Sequence, residues 1–168
     1  RYVELWNLVF MQFYQARDKS LTNLPAPSID TGLGLERIAA ILQGVRDVYL
    51  TDLLQTIIRR IADFNNVRYG PDSGVDFALR VVAEHMRASA FLIADGVVPG
   101  NEGRSYVLRR IMRRAMFYHH RYLNPKKIII SEIVDSIIIH MGETYPELSK
   151  NRLTIGEIIS EEERSFRK

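Results

Sequence analysis

The sequence contains no cysteine, which excludes disulfides and thiolate-held metal sites. It also lacks any run of about 18 uninterrupted apolar residues, the length a membrane-spanning helix needs. Its greasiest stretch, Ile128 to Met141, is interrupted by Ser131, Glu132, Asp135, Ser136 and His140 and predicts a buried core helix. No signal peptide is visible, which favours the cytoplasm. No Ser/His/Asp or Cys/His set suggests a hydrolase, and no His/Asp/Glu cluster has metal-ligand spacing. Repeats and low-complexity tracts are missing as well. The 168 residues are 46% hydrophobic and 26% charged, an ordinary globular composition with room for one domain or two incomplete ones. The chain starts at Arg1 rather than Met and stops at Lys168 inside a helical pattern. Both ends look cut, so a piece of a larger protein is expected.

Acidic residues are scarce in one place. Between Arg104 and Lys127 there are eight Lys or Arg residues and no Asp or Glu. The whole chain is only +3, so positive charge is concentrated here. A glycine-rich bend, Pro99-Gly100-Asn101-Glu102-Gly103, leads into this stretch, which then takes a helical pattern. At about 100° per residue, Val107, Leu108, Ile111, Met112, Ala115 and Met116 share one half of the helix. Arg109, Arg110, Arg113 and Arg114 fill the other half. The first set is predicted inside a helical bundle and the arginines outside, facing phosphates. Asn101, between two glycines ahead of the arginines, is placed to enter a groove. The alternative is a solvated basic face.

Tyr2 to Tyr14 is aromatic and β-branched and predicts a strand buried on both faces. Asn7 is the one polar member of its odd-numbered face, bonded either to a neighbouring backbone group or to a ligand. Gln15 to Asn23 reads as a turn, and Pro25 and Pro27 enforce an extended approach to a second strand, Ser28 to Gly34. A helix begins at Leu35 and ends at Gly44. Gly32 and Gly34 fall on one side of the strand and would bare its backbone to a flat ring. Arg37, in the first helical turn, gains nothing from the helix dipole, so an anionic ligand or an ordinary ion pair is its reason.

From Tyr49 the pattern is helical. Thr51 is a candidate cap, followed by inward Leu54, Ile57, Ile58 and Ile61. Asn65 to Val75 is a loop containing Gly70-Pro71. Asp76 to Asp95 is a helix with Leu79, Val82, Met86 and Ile93 inward and Gly96 ending it in a left-handed cap. His85 reads as a core histidine, and His119-His120 closes the arginine helix, where an imidazolium suits the dipole. Asn124-Pro125 breaks the chain before helices at Lys127 to Met141 and Leu153 to Phe166. Glu161-Glu162-Glu163 reads as a solvated face.

Three stretches together resemble one family. IDTGLGLERIAAIL (Ile29 to Leu42) resembles motif 3 of class II aminoacyl-tRNA synthetases. RYVELWNLVFMQF (Arg1 to Phe13) resembles the preceding strand in the alanyl-tRNA synthetase family. AEHMRASAFLIADGVVPGNEGRSYVLRRIMRRA (Ala83 to Ala115) resembles that family's tRNA-recognition segment. The resemblance implies a mainly α fold, a helical bundle preceded by a small antiparallel β remnant of a class II catalytic domain. It divides at 1–48 and 49–168.

The resemblance also implies roles. Arg37 would contact the γ-phosphate of ATP as the catalytic residue, with Gly32 and Gly34 under the adenosine. Asp30 and Asn7 would hold L-alanine. Asn101 would read a G·U pair of the tRNA acceptor stem, its amide oxygen accepting from the guanine amino group. Arg104, Arg109, Arg110, Arg113 and Arg114 would hold the RNA. The whole enzyme would join alanine to tRNA through alanyl-adenylate with ATP and magnesium, in the cytoplasm and off the membrane. Gly100 and Ser105 stand where Ser and Gly are usual, a change expected to be tolerable in a loop. Motifs 1 and 2 and the editing domain with its zinc ligands are missing, so the piece alone is expected to be inactive. The rival readings are a stand-alone, non-catalytic RNA-binding helical domain and a helical domain whose basic face meets an acidic protein.

Overall fold

Two strands and seven α-helices make up the described residues, 2–70, 73–123 and 130–168, of the computed structural model. They divide into two units, Arg1–Thr51 and Asp52–Lys168. The chain is mainly α with a small antiparallel β element, as the resemblance implies.

The first unit is built on a ribbon of β1 (Trp6–Gln15) and β2 (Leu21–Leu33). Its antiparallel register runs from Trp6↔Leu33 to Met11↔Ser28, then resumes at Phe13↔Asn23. Leu24, Pro25, Ala26 and Pro27 bulge out opposite Gln12, because prolines cannot donate to the ladder. The expected turn at Gln15 to Asn23 is shorter than predicted: β2 already starts at Leu21, after a bend in which Lys19 has φ +69°. Asp18 ties that bend by accepting from the Ser20 N–H at 3.0 Å and its hydroxyl at 2.6 Å. The expectation of a strand buried on both faces is wrong. All ten β1 residues are exposed, since two strands leave both faces of a ribbon without a covering layer in this unit. Helix α1 (Leu35–Leu42) follows and ends at Gly44, φ +67°.

The second unit is a helical bundle. Thr51, in extended conformation, precedes α2 (Asp52–Asn65), and its hydroxyl donates to the Val48 carbonyl at 2.7 Å. Leu54, Ile57, Ile58 and Ile61 of α2 are buried, at the spacing of one helix face. Helix α3 (Ser73–Ala94) is the hub on which α2, α4, α5, α6 and α7 pack. It buries Leu79, Val82, Met86, Ala90 and Ile93, and Gly96 at φ +84° closes it in the expected left-handed cap. Helix α4 (Gly103–Tyr118) runs on into a π-helical turn, His119–Leu123. Then come α5 (Ile130–Met141), α6 (Pro146–Lys150) and α7 (Arg152–Phe166). The short α6 was not expected. It starts with proline, which suits a first helical turn, and Gly142 before it is required: a Cβ there would stand 2.5 Å from the Ile138 backbone carbonyl oxygen. Pro71, Asn124, Pro125, Lys126, Lys127 and Ile128 lie outside the described residues.

Ile58 is fully buried while Leu153 is 81% exposed. Ile58→Ala should therefore lower stability by about 2–5 kcal/mol, and Leu153→Ala by no more than about 0.5 kcal/mol. Denaturant unfolding followed by circular dichroism measures both, and equal losses would contradict the placement of the core.

Candidate functional site

Directly paired residues of an antiparallel ribbon point to the same side, and sides alternate along each strand. The pairs Asn7↔Gly32 and Val9↔Asp30 therefore put Asn7, Asp30 and Gly32 on one face. Trp6, Leu8 and Thr31 share the opposite face, where Trp6 Nε1 donates to Thr31 Oγ1. Nothing lies within 4 Å of where a Gly32 Cβ would stand, so the backbone there is bare. Gly34 differs from expectation. It lies past the end of β2 as the cap of α1, and its missing side chain makes room for the aliphatic stem of Arg37, 3.2 Å from a notional Cβ. The Arg37 guanidinium donates through Nη1 to the Glu4 carbonyl at 2.6 Å. A guanidinium has five donors, so the others can serve an anion. Asn7 and Asp30 are exposed, which removes the burial cost expected for the Asn7 amide.

The arginine helix divides more sharply than its sequence suggests. Leu108, Met112, Ala115 and Met116 are buried, but Val107 is 51% exposed, contrary to its predicted place inside. The apolar half assigned from sequence was too wide: Val107 lies about 60° or less from Arg110 and Arg114 on the helical wheel and shares their outer face. Those two arginines are exposed, with Arg114 5.7 Å over the Tyr118 ring. Exposed Tyr106 and Phe117 flank them, an interleaving of arginine and aromatic rings that sequence reasoning passed over. Arg104 is exposed at the start of the helix.

Arg109 and Arg113 lie one row round and face α7 instead. Arg113 Nε meets Glu162 Oε1 at 2.6 Å, and Arg109 Nε lies 3.4 Å from Glu162 Oε2. The reading of Glu161-Glu162-Glu163 as a solvated face is thus corrected. Glu162 and Glu163 are buried, with Glu163 paired to Arg167 at 3.1 Å. Each carboxylate can be buried because an arginine neutralises it. Arg109 also donates through Nη1 to Asn101 Oδ1 and through Nη2 to the Pro99 carbonyl at 3.5 Å. Asn101 itself is exposed. Its oxygen already accepts one bond and keeps a second lone pair.

Ser105 belongs to α4 rather than to a loop, and its exchange with Gly100 is coupled in space. A Cβ on Gly100 would stand 2.8 Å from the Ser105 Cβ, and the Gly100 N–H donates to the Ser105 carbonyl at 3.0 Å. Side chains at both positions would force one of the two segments to shift. At the far end of α4, His119 is buried and its Nε2 donates to Asn65 Oδ1 at 3.0 Å. The Asn65 amide in turn donates to the Ile61 carbonyl at 2.8 Å, which fixes the acceptor role of its oxygen. Burial first, then Arg167 and His120, push the His119 pKa down to about 4. The expected imidazolium is therefore a neutral ring, because desolvation outweighs the helix dipole. Half-buried His85 is also shifted down, by burial and then by Arg114.

The family model for class II (A) tRNA synthetases matches residues 1–168. Alanine–tRNA ligase of Nitrobacter winogradskyi is 52% identical over 168 residues, covering 100% of this chain and 18% of that protein. That of Acidithiobacillus ferridurans is 48% identical over 167 residues, covering 99% of this chain and 19% of that protein. The chain spans about a fifth of the length of these curated relatives.

Two outcomes follow from this geometry. Gly100→Ser should destabilise the bundle by about 1–3 kcal/mol through overpacking, and Gly100→Ser with Ser105→Gly should restore it; thermal unfolding of both variants decides. For His119, the folded pKa lies below the ordinary 6.5, so the unfolded chain takes up the proton first. Stability is complete above about pH 6.5 and falls as pH drops towards 4, by about 3 kcal/mol in all. Urea titrations across that range should show the loss, and His119→Gln should flatten it.

Proposed function

The chain belongs to the class II (A) tRNA synthetase family, and on that premise we propose that it is the part of an alanine–tRNA ligase running from motif 3 into the tRNA-recognition domain. Residues 1–48 end the catalytic domain and 49–168 form the recognition domain. The full protein attaches alanine to its tRNA through alanyl-adenylate. The observation that carries this reading is the shared face of Asn7, Asp30 and Gly32, with Arg37 at the start of the next helix.

In the first step an alanine carboxylate oxygen attacks the α-phosphorus of ATP, and pyrophosphate leaves. Asp30 accepts from the alanine ammonium and Asn7 bonds the same amino acid. The bare backbone at Gly32 accepts the adenine ring. Arg37 bonds the γ-phosphate oxygens and stabilises the charge that accumulates on the departing pyrophosphate. In the second step a ribose hydroxyl of the tRNA attacks the alanyl carbonyl and AMP leaves. Arg110 and Arg114 hold phosphates of the acceptor stem, with Arg104 at the helix start, while Asn101 contacts the G·U pair.

Among the described residues no three His, Asp or Glu side chains come together to hold a metal; magnesium, when bound, would be held chiefly by the ATP phosphates and would neutralise their charge. Among the same residues no helix is long and apolar enough to cross a membrane. The cytoplasm is the proposed compartment because tRNA is charged there.

In the longest natural form of the protein, Arg37→Ala should reduce alanine-dependent ATP–pyrophosphate exchange by about 100-fold or more; an unchanged rate removes Arg37 from catalysis. Asn101→Ala should weaken discrimination between G·U and G·C stems by about 1–3 kcal/mol. Arg110→Ala or Arg114→Ala should weaken both RNAs alike and flatten the salt dependence of binding by about one unit per lost phosphate contact. Binding and charging of matched stems over a salt series measure all three, and equal losses on both stems for Asn101→Ala would make it a turn residue only.

A further inference from the structure

Building on the reading of Asn101 as the residue that contacts the base pair, we propose that Glu162 and Arg109 are its positioning pair. Together they fix which end of the Asn101 carboxamide faces the acceptor stem. A carboxamide is nearly symmetric in shape, but one end only accepts and the other only donates. On an exposed loop a half-turn of the amide exchanges the two ends, and a base edge would then meet either polarity. Arg109 removes that freedom. A guanidinium can only donate, so the atom it holds is the Asn101 oxygen. The amide N–H groups and the second oxygen lone pair are left in one defined arrangement.

Arg109 is itself held. Its Nη2 reaches the Pro99 carbonyl at 3.5 Å, and its Nε stands 3.4 Å from Glu162 Oε2. Glu162 is 6% exposed and takes Arg113 on its other oxygen at 2.6 Å. One buried carboxylate on α7 thus holds two arginines of α4, Arg113 by a hydrogen bond and Arg109 by charge alone, since Arg109 Nε makes no hydrogen bond. Arg109 in turn holds the loop. Direct packing does not do this work. A cleft of about 260 Å³ is lined by Val98 and Pro99 of the bend and by Ile158 and Glu161 of α7, with Arg109 and Glu162 beside them. The polar pair bridges that gap. It also keeps Arg109 turned away from the outer face where Arg110 and Arg114 await phosphates, so neighbouring arginines of one helix have different tasks.

The test is aminoacylation, in the longest natural form of the protein, of acceptor-stem minihelices bearing G·U, G·C or inosine·U, which lacks the guanine amino group. Glu162→Gln removes the charge that holds Arg109. Arg109→Lys keeps a charge for Glu162 but offers a compact ammonium that cannot reach Glu162, Pro99 and Asn101 together. Each variant should shrink the preference for G·U over both other stems by on the order of tenfold. Adding either change to Asn101→Ala should cause no further loss, because the pair acts only through that amide. A purely structural role would lower charging of all three stems by one factor and leave the ratios intact.

Unchanged ratios in Glu162→Gln and Arg109→Lys, or additive losses in the double variants, overturn the positioning role while Asn101→Ala alone still loses discrimination. If Asn101→Ala keeps the full preference for G·U, the reading beneath fails instead and the pair has nothing to position. A salt slope flattened by about one unit in Arg109→Ala would make Arg109 a phosphate contact and would also overturn the proposal.

Discussion

Packing of Leu108, Met112, Ala115 and Met116 against the hub helix α3 sets the rotation of α4, and the division of its arginines follows from that rotation. Successive residues on a helix differ by about 100°. Two adjacent pairs of arginines therefore cannot all face one way once the apolar stripe is buried. One row, Arg110 and Arg114, is left outermost. The other, Arg109 and Arg113, is carried round to α7. Glu162 stands where that second row arrives, and its burial is tolerable only because both guanidinium groups meet it. The same rotation buries His119 three residues past Met116 and forces it neutral.

Much of the bundle was legible from periodicity alone. Leu54, Ile57, Ile58 and Ile61 on α2, and Leu79, Val82, Met86 and Ile93 on α3, repeat at the spacing of one buried face, and all are buried. Gly96 announced the end of α3 because few other residues take a positive φ cheaply. What failed to show was whatever depends on a distant partner. Glu162 lies 49 residues from Arg113, so nothing local distinguishes it from a solvated glutamate. Val107 was misplaced because a half-circle of apolar residues is wider than the stripe that one neighbouring helix can cover. Gly100 and Ser105 looked like two independent neutral exchanges, yet a Cβ on Gly100 would meet the Ser105 Cβ across a backbone hydrogen bond.

The ribbon shows the same limit in another form. Alternation gave the strand, but the shared face of Asn7 and Asp30 needed the pairing register, which two separate strand patterns do not reveal. Burial was misjudged because it is a property of what lies against a face, and two strands cannot cover themselves. That matters for the chemistry. Opposite unit charges about 4 Å apart attract by only about 1 kcal/mol in bulk water, and by several times more at a partly desolvated site. An exposed Asp30 is thus a weak selector of an ammonium, and an exposed Arg37 a weak selector of phosphate. The residue types and their common face suit amino-acid activation, but their strength depends on excluding water. On the proposed reading, the ribbon residues orient alanine and ATP, and the energy of selection comes from a cover over the face that carries Asn7, Asp30 and Gly32.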